Sequence, residues 1–449
     1  MENQNVPVEL GTEKVGKLLK RYAVPAVIAM TASSLYNMVD SIFIGHGVGA
    51  LAISGLALTF PLMNLAAAFG TLVGVGAASL LSMLLGQRNY GIAKQVLGNV
   101  LIMNIVIGLA FTAVSLLFLD DILYFFGASD DTIGYAREYM SVILAGNVIT
   151  HSYFGLNSLL RASGHPKKSM VATIFTVLIN VVFDYIFIFV FGWGIRGAAI
   201  ATVLSQVLAL GWMIKLFSNK NEFIHFEWKR LKFNPRIAKE SLAIGLSPFL
   251  MNIAACFVII LINQQLKRYG GDLAIGAYGI VNRIAFLFLM VVMGITQGMQ
   301  PIAGYNYGAK NYSRVKEVLR LSIYVATLIM TVGFVFGEIF PTQLASIFTT
   351  DSQLISHSAK GLRITLIAFP LIGFQSVVSN FFQSIGQVKR AVFLSLSRQL
   401  LFLIPLVFVL PLFWAISGVW MSFPISDTAA FIMAAILLIN FLKKFKDNG

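Results

Sequence analysis

The sequence has few charged residues and only one cysteine, and both shortages exclude classes of protein. Only 12% of its 449 residues are charged and 57% are hydrophobic, whereas soluble domains carry about 25% charged residues. Cys256 has no second cysteine to pair with, so no intrachain disulfide can form and a zinc or iron–sulfur site is not expected. The five histidines are scattered without ligand spacing, so no metal site is predicted.

Three further signatures are missing. No GxxxxGK[ST] loop occurs, so no ATP site is predicted. The net charge of +14 is not gathered into a basic run interleaved with aromatics, so no nucleic-acid partner is predicted. The first 20 residues are polar, and the first apolar run is as long as a membrane span and lacks a following A-x-A site. No cleavable signal peptide is therefore expected.

Long apolar runs, in contrast, recur along the whole chain. A helix needs about 20 apolar residues to cross a bilayer, and the sequence supplies runs of that length repeatedly. The fold class predicted is an all-α polytopic membrane protein with twelve transmembrane helices. The predicted spans are about 16–45, 51–85, 92–119, 134–160, 168–192, 196–217, 237–266, 273–307, 316–339, 357–385, 390–413 and 416–442.

The distribution of Lys and Arg predicts the orientation. With the N-terminus inside, the cytoplasmic segments carry most basic residues, as the positive-inside rule expects. The acidic pairs Asp120/Asp121 and Asp130/Asp131 then lie outside. Both termini are predicted to be cytoplasmic, in a multi-pass protein of the inner or plasma membrane. The few basic residues predicted to be outside are Arg137, Arg196, Lys267, Arg268, Lys360 and Arg363.

An internal repeat with an offset of about 222 residues divides the chain. The segment GQRNYGIAKQVL from Gly86 recurs as GAKNYSRVKEVL from Gly308, and GIRGAAIAT from Gly194 resembles AISGVWMS from Ala415. Six spans per repeat is an even number, so the two halves share one orientation and are related by a pseudo-two-fold axis along the membrane normal. The prediction is an N-lobe over 1–217, a cytoplasmic linker over 218–236 and a C-lobe over 237–449. Such halves enclose a cavity, as in alternating-access carriers, although a two-fold channel is also compatible.

Asp40 is the only formal charge between Tyr22 and Gly45. A charge at the centre of a membrane helix costs roughly 2.5 to 3.5 kcal/mol on insertion scales, so it needs a partner, water or a proton. We therefore interpret Asp40 as a functional candidate; the alternative is a carboxylate that fixes helix packing through a hydrogen bond.

The fifth and sixth spans add three candidates at a similar depth. Asn180 and Asp184 are four residues apart and so share a helix face, and Thr202 lies near the outer start of the next span. Together with Asp40 they offer oxygen ligands for Na⁺. Two buried carboxyl groups could instead carry a proton. The sequence leaves both ions open, and interhelical hydrogen bonding is the structural alternative.

Other polar residues in the spans receive weaker predictions. Pro25 lies roughly four turns before Asp40 and removes a backbone donor, which favours a helix kink. Arg398 and Asp427 are predicted to form a buried structural ion pair. No counterpart of the acidic site is found in the second half, where Asn263 and Leu406 correspond to Asp40 and Asp184. The substrate cavity is predicted to include Tyr36, Asn37, Asn64, Asn147, Asn157 and Arg283, with Arg283 buried.

These motifs together resemble the multidrug and toxic compound extrusion (MATE) family over essentially the full chain. The residues that carry the resemblance are Pro25, the segment Tyr36 to Gly45, the Gly86-Gln87-Arg88 loop with its repeat, Asn180 with Asp184, Gly194 to Thr202, and GVWMSFPISD ending at Asp427. The sequence is most similar to the DinF-like branch that includes MepA-type pumps.

The resemblance implies a secondary active antiporter that exports organic, often cationic, compounds in exchange for H⁺ or Na⁺. It implies no cofactor, a proton or sodium site at Asp40, Asn180, Asp184 and Thr202, and bending at Pro25. The NorM-like branch uses an acidic residue in the seventh span, where this sequence has IILINQQ from Ile259. Two lobes in one chain make a monomer sufficient.

The sequence is also compatible with two functions other than export of diverse drugs. A lipid-linked precursor flippase or a narrow metabolite exporter of the same superfamily is the first, but a flippase would be expected to have a strongly basic cavity. An intramembrane enzyme is the second, but neither acid lies in a GxGD context. The prediction is that the protein is not an enzyme.

Overall fold

The computed structural model describes residues 7–227 and 232–443, and in this part of the chain all regular secondary structure is helical. Residues 228–231 of the predicted linker lie outside the described residues, as does the side chain of Asn37. Helix starts follow local sequence signals. Pro166 begins one helix, where its missing N–H costs nothing. The side chain of Asn234 caps another by accepting from the N–H of Arg236 at 3.1 Å.

The first half of the chain forms long helices separated by short turns at glycine and polar residues. A π-helical segment, Tyr185–Val190, follows α8 directly. The helices are α1 (Glu9–Thr12), α2 (Val15–Gly47), α3 (Ala50–Gly86), α4 (Tyr90–Leu117), α5 (Leu119–Phe125), α6 (Ile133–Ala145), α7 (Asn147–Ala162), α8 (Pro166–Asp184) and α9 (Gly194–Phe217).

The second half repeats the pattern. Its first helix is interrupted at Gly271, whose φ of 67° is accessible mainly to glycine, and this break separates two spans. A second π-helical segment, Ser397–Leu403, follows α15. The helices are α10 (Pro235–Gly308), α11 (Tyr312–Ile339), α12 (Pro341–Ser346), α13 (Ser352–Leu366), α14 (Phe369–Ser384), α15 (Val388–Leu396), α16 (Ile404–Val409) and α17 (Pro411–Lys443).

The helices coincide with the predicted spans. Among the described residues, 10 helical segments are long and apolar enough to cross a bilayer, and α13 and α14 together are also long and apolar enough, with a bend of 54° between them. The remaining predicted span, 134–160, corresponds to α6 and α7, which are 13 and 16 residues long and meet at Gly146. This break was not predicted, because the apolar pattern continues across Gly146-Asn147, although glycine and asparagine are residues that often end helices.

The repeat is visible in unusual backbone conformations. Arg88 and Lys310 adopt positive φ values of 57° and 58°, and Gly164 and Gly386 adopt 97° and 71°. Each pair is separated by the 222-residue offset found in the sequence. The turns after the second and fourth spans of each half are therefore built in the same way.

A reciprocal close contact joins α3 to the end of α10. A Cβ atom on Gly86 would collide with the carbonyl oxygen of Tyr305, and one on Gly308 would collide with that of Met83. Tyr305 and Met83 are themselves 222 residues apart, so the two close approaches are related by the offset of the sequence repeat. Only glycine permits the two backbones to approach this closely.

The chain packs as two compact units. The first contains the described parts of 1–13, Ile28–Phe249 and Gly304–Lys310, and the second contains Lys14–Val27, Leu250–Ala303 and the described residues from Asn311 onward. The division within α2 falls between Val27 and Ile28, directly after the turn that contains Pro25. α2 is helical throughout Val15–Gly47. The candidate ion site lies entirely in the first unit.

Candidate functional site

Two carboxylates are buried in the first unit. Asp40, on α2, is 5% exposed, and Asp184, the last residue of α8, is 0% exposed. The two groups are near enough to interact electrostatically. One oxygen of each, Oδ1, is buried without a hydrogen-bond partner. Because an unsatisfied buried polar atom is costly, this pair is suited to hold a proton or a cation.

Asn180 joins Asp184 to α9. With its amide oriented to satisfy both ends, Asn180 donates to Oδ2 of Asp184 at 3.0 Å and accepts from the N–H of Thr202 at 3.1 Å. Asn180 lies one turn before Asp184 on α8, as their spacing predicted, and it is 2% exposed. The amide therefore fixes one carboxylate oxygen and leaves the other free.

Two tyrosines complete the surroundings. The hydroxyl of Tyr36, on α2, hydrogen-bonds to Oγ1 of Thr202 over 3.0 Å. The hydroxyl of Tyr139, on α6, also lies within reach of Thr202, and this residue is 1% exposed. Sequence reasoning missed Tyr139, since a single tyrosine directly after Arg137 and Glu138 gives no signal of a buried site. Four elements, α2, α6, α8 and α9, thus supply the site.

The backbone changes form immediately after Asp184. The π-helical segment Tyr185–Val190 widens the helix there, and π-helical turns are frequent at functional sites. Beyond it, the ring of Phe187 stacks on that of Trp193 with 5.0 Å between centroids. Ile44, four residues after Asp40, and Ile188, four residues after Asp184, both belong to a buried apolar cluster. The carboxylates therefore lie next to apolar packing in the sequence of their helices, and electrostatic interactions are stronger in an apolar environment than in water.

The family model MatE matches residues 25–186 and 246–442, which is most of the chain. The chain belongs to the MatE family. This confirms the family predicted from the sequence motifs. Members of this family are transporters and not enzymes, and the protein is a multi-pass membrane protein.

Relatives of this MatE protein are similar over nearly their full length. The chain is 28% identical to the multidrug export protein MepA of Staphylococcus haemolyticus, covering 94% of this chain and 93% of the relative. It is 38% identical to the MATE multidrug transporter DinF-BH, with a TM-score of 0.90 and 98% of each chain covered. An outward-facing MATE transporter of the MOP superfamily gives 25% identity and a TM-score of 0.92 over 98% of each chain. The predicted fold class is confirmed.

The residues predicted to line a substrate cavity differ in their burial and in their hydrogen-bond partners. Tyr36 belongs to the ion site, and Asn64 is half-buried on α3. Asn147 is 1% exposed, with its amide nitrogen unpartnered. The Asn157 amide is engaged by its neighbours, since its nitrogen donates to Thr173 Oγ1 at 3.1 Å and its oxygen accepts from Arg161 at 3.0 Å.

The second unit contains the predicted ion pair. Nε of Arg398 donates to Oδ1 of Asp427 at 2.5 Å, and the Asp427 side chain is 1% exposed. Arg283 differs from its prediction because it is exposed rather than buried. Its neighbours Ile284 and Ala285 are buried instead. An apolar run gives the depth of a residue but does not give the face of the helix on which it lies.

No metal-binding cluster is present in the described part of the chain, where no three His, Cys, Asp or Glu side chains are placed to share an ion. The oxygen set at Asp40 and Asp184 has only two carboxylates, completed by an amide and hydroxyls. Such a set fits a monovalent cation or a proton better than a divalent metal, which prefers more charge.

Proposed function

We propose that this MatE protein is a secondary active multidrug efflux transporter that exchanges H⁺ or Na⁺ for organic, often cationic, compounds by alternating access. The observation that carries the proposal is the buried pair Asp40 and Asp184, each with one unpartnered oxygen. The names of the relatives, multidrug export protein and multidrug transporter, support the class of substrate.

The ion site in this proposal consists of Asp40, Asn180, Asp184 and Thr202. Asn180 and Thr202 hold the geometry, while the free carboxylate oxygens receive the ion. A proton would bind to one carboxyl oxygen and relieve the repulsion between the two acids. Sodium would instead be shared by the carboxylates with the neighbouring amide and hydroxyl oxygens. In either case ion binding removes an unfavourable buried charge.

The membrane arrangement in the proposal follows the charge distribution. Both termini are cytoplasmic, 1–217 forms the N-lobe, 218–236 the linker and 237–449 the C-lobe, and a monomer transports. Pro25 provides flexibility in α2, so that this helix can bend when the ion state of Asp40 changes. Substrate contacts are proposed at Tyr36, Asn37, Asn64, Asn147 and Asn157, with Arg283 reaching substrate from its exposed position.

The proposal is tested by the accumulation of ethidium, a fluorescent cation, in cells that lack their own pumps. Wild type should lower accumulation, and Asp40→Asn or Asp184→Asn should abolish export at matched membrane abundance. Asp121→Asn is the matched control, because this carboxylate is exposed on the short helix α5 and should leave export unchanged. Measurements with and without added Na⁺ identify the ion.

Two results would contradict the proposal. Full export by the Asp40→Asn variant would remove the ion site from the mechanism. Unchanged ethidium in cells expressing wild type at the surface would exclude broad cation export, and a flippase or a narrow metabolite exporter would then have to be tested.

A further inference from the structure

A row of polar side chains leads away from the carboxylates within the first unit. It begins at Asn180, which contacts both Asp184 and Thr202. Gln206 follows Thr202 by one turn on the same face of α9. Oε1 of Gln206 accepts a hydrogen bond from Oγ1 of Thr150 at 2.5 Å, which carries the row across to α7.

The row continues along α7 and α8. Tyr153 and Asn157 follow Thr150 at intervals of three and four residues, so all three lie on one face of α7. The hydroxyl of Tyr153 and the amide of Asn157 both donate to Oγ1 of Thr173, at 3.5 and 3.1 Å. Thr150 and Gln206 are half-buried, whereas Tyr153 and Asn157 are 5% and 4% exposed.

Arg161 closes the row at the end of α7 that is predicted to be cytoplasmic. Its side chain points back along the helix, and its Nη1 donates to Oδ1 of Asn157 at 3.0 Å and to Oγ of Ser169 at 3.2 Å. Its Nη2 donates to Oγ of Ser158 at 3.3 Å. These partners are all neutral oxygens, so they hold the guanidinium in place without neutralising its charge.

The carboxylate of Glu222, in the segment after α9, contacts other side chains near this end. Oε2 of Glu222 contacts Nε2 of His165 and its Oε1 contacts Nζ of Lys168, each at 2.8 Å. Glu222 is therefore engaged by Lys168 and by the imidazole of His165. The positive charge of Arg161 remains directed at the buried row.

The second half of the chain offers an internal comparison. Ser379 and Ser395 stand at the positions of Asn157 and Thr173, and their hydroxyls hydrogen-bond over 3.0 Å. The position of Arg161 is occupied by Gln383. The polar pair is thus repeated, but the cation is found only in the half that contains the two carboxylates.

We propose that Arg161 is an electrostatic barrier that prevents H⁺ or Na⁺ from leaking along this row between the carboxylate pair and the cytoplasm. The inference rests on the proposed function, because it takes the carboxylates as the ion site. A row of hydroxyl and amide groups between the carboxylates and the cytoplasm is a route along which a cation could leak, and such a leak would dissipate the gradient without exporting substrate. A guanidinium held beside this row repels cations, as fixed positive charges do in membrane pores.

The test is proton leak into proteoliposomes containing the purified protein, an entrapped pH-sensitive dye and an imposed membrane potential, with no drug present. Arg161→Gln introduces the residue that the second half has at this position. It should raise proton flux at least about tenfold. A unit charge a few ångström from the path raises the energy barrier for a passing cation, and the increase slows passage by more than about tenfold. Arg161→Lys keeps the charge and should stay as tight as wild type.

A second pair of measurements separates charge from packing. Arg161→His should leak at about pH 8 and be tight at about pH 5.5, since histidine changes charge between these values. Adding Thr150→Val to Arg161→Gln should reduce the leak, because the valine interrupts the row.

A tight Arg161→Gln variant, or equal leak in the Gln and Lys variants, would overturn the inference. If Arg161→Gln cannot be reconstituted, the Arg161→His variant provides the test. A flux through this variant that does not depend on pH would overturn the inference.

Failure of this inference can be distinguished from failure of the proposed function. Leak is measured without substrate, whereas the proposed function is tested by export in the Asp40→Asn variant. A tight Arg161→Gln protein in a chain whose export requires Asp40 would refute only the barrier.

Discussion

Tyr36 holds the ion site together at the level of single residues. It links α2 to α9 through its hydrogen bond to Thr202, which in turn contacts Asn180 through its backbone. We expect Tyr36→Phe to weaken the apparent affinity for the coupling ion about fivefold, because one hydrogen bond contributes about 1 kcal/mol. The affinity is measured from the ion dependence of ethidium export. Tyr324→Phe is the control, because that side chain is 66% exposed. Equal affinities in wild type and Tyr36→Phe would contradict a role for this contact.

The Arg398–Asp427 pair in the second unit gives a prediction about stability. Arg398→Met leaves the buried carboxylate of Asp427 without its partner. The substitution should lower the free energy of unfolding by about 3–5 kcal/mol, which is measured as a lower melting temperature in detergent. The double variant Arg398→Met/Asp427→Leu removes both charges and should melt close to wild type. It should also retain export, since the pair is predicted to be structural. A folded double variant without export would show that the pair takes part in transport.

The members of the candidate ion site could be predicted from the sequence where a charged side chain lies within an apolar run. Asp40 and Asp184 are acids within apolar runs, and the spacing of Asn180 from Asp184 gave their shared face. Tyr139 could not be found, because only the packing of α6 brings it to Thr202. Arg283 was wrongly predicted as buried for the same reason, since the orientation of a helix about its axis depends on its neighbours.

Among the structural elements, the segment after α9 is fixed to the start of α8. Glu222 in this segment pairs with Lys168 and His165. Burial raises the pKa of the Glu222 carboxyl, but the hydrogen bonds and charges of Lys168 and His165 outweigh burial, so its pKa is lowered overall. The contribution of Glu222 to stability is therefore present above the pKa of an ordinary glutamate and is lost as the pH falls through the lower folded pKa.

This predicts a pH-dependent effect of Glu222→Gln. At pH near 7 the variant should be less stable than wild type by at most about 1 kcal/mol, because the pair is partly exposed to solvent. The difference in melting temperature should shrink below about pH 4.3, the ordinary glutamate value. A difference that persists unchanged into that acid range would contradict the role assigned to the ionised pair.

Helix limits were largely predictable and helix irregularities were not. The predicted span 196–217 corresponds to α9, Gly194–Phe217, because Gly194 and the polar Ser218 bound the apolar run. The break at Gly146 and the π-helical turn after Asp184 leave no periodic signal. At Gly146 the chain packs closely against α9, where an added Cβ atom would collide with the side chain of Val203.

For the whole molecule, the repeat gives a paired prediction. Gly86→Ala and Gly308→Ala each place a Cβ against a carbonyl oxygen across the same reciprocal contact. Each should destabilise the protein by about 1–3 kcal/mol, and the two melting temperatures should fall by similar amounts. Gly91→Ala is the control, since nothing lies within 4 Å of the added methyl group. Opposite effects of the two substitutions would contradict a reciprocal contact.

Ion movement driven by substrate in proteoliposomes is the most direct test of coupling through the buried carboxylate pair. With purified protein and an imposed ethidium gradient, wild type should move H⁺ or Na⁺ in the opposite direction, recorded with a pH-sensitive dye or radioactive sodium. Asp40→Asn and Asp184→Asn should abolish this countermovement, while Asp121→Asn should not. Ethidium transport by wild type without movement of either ion, or undiminished countermovement in Asp40→Asn, would contradict coupling through the buried carboxylate pair.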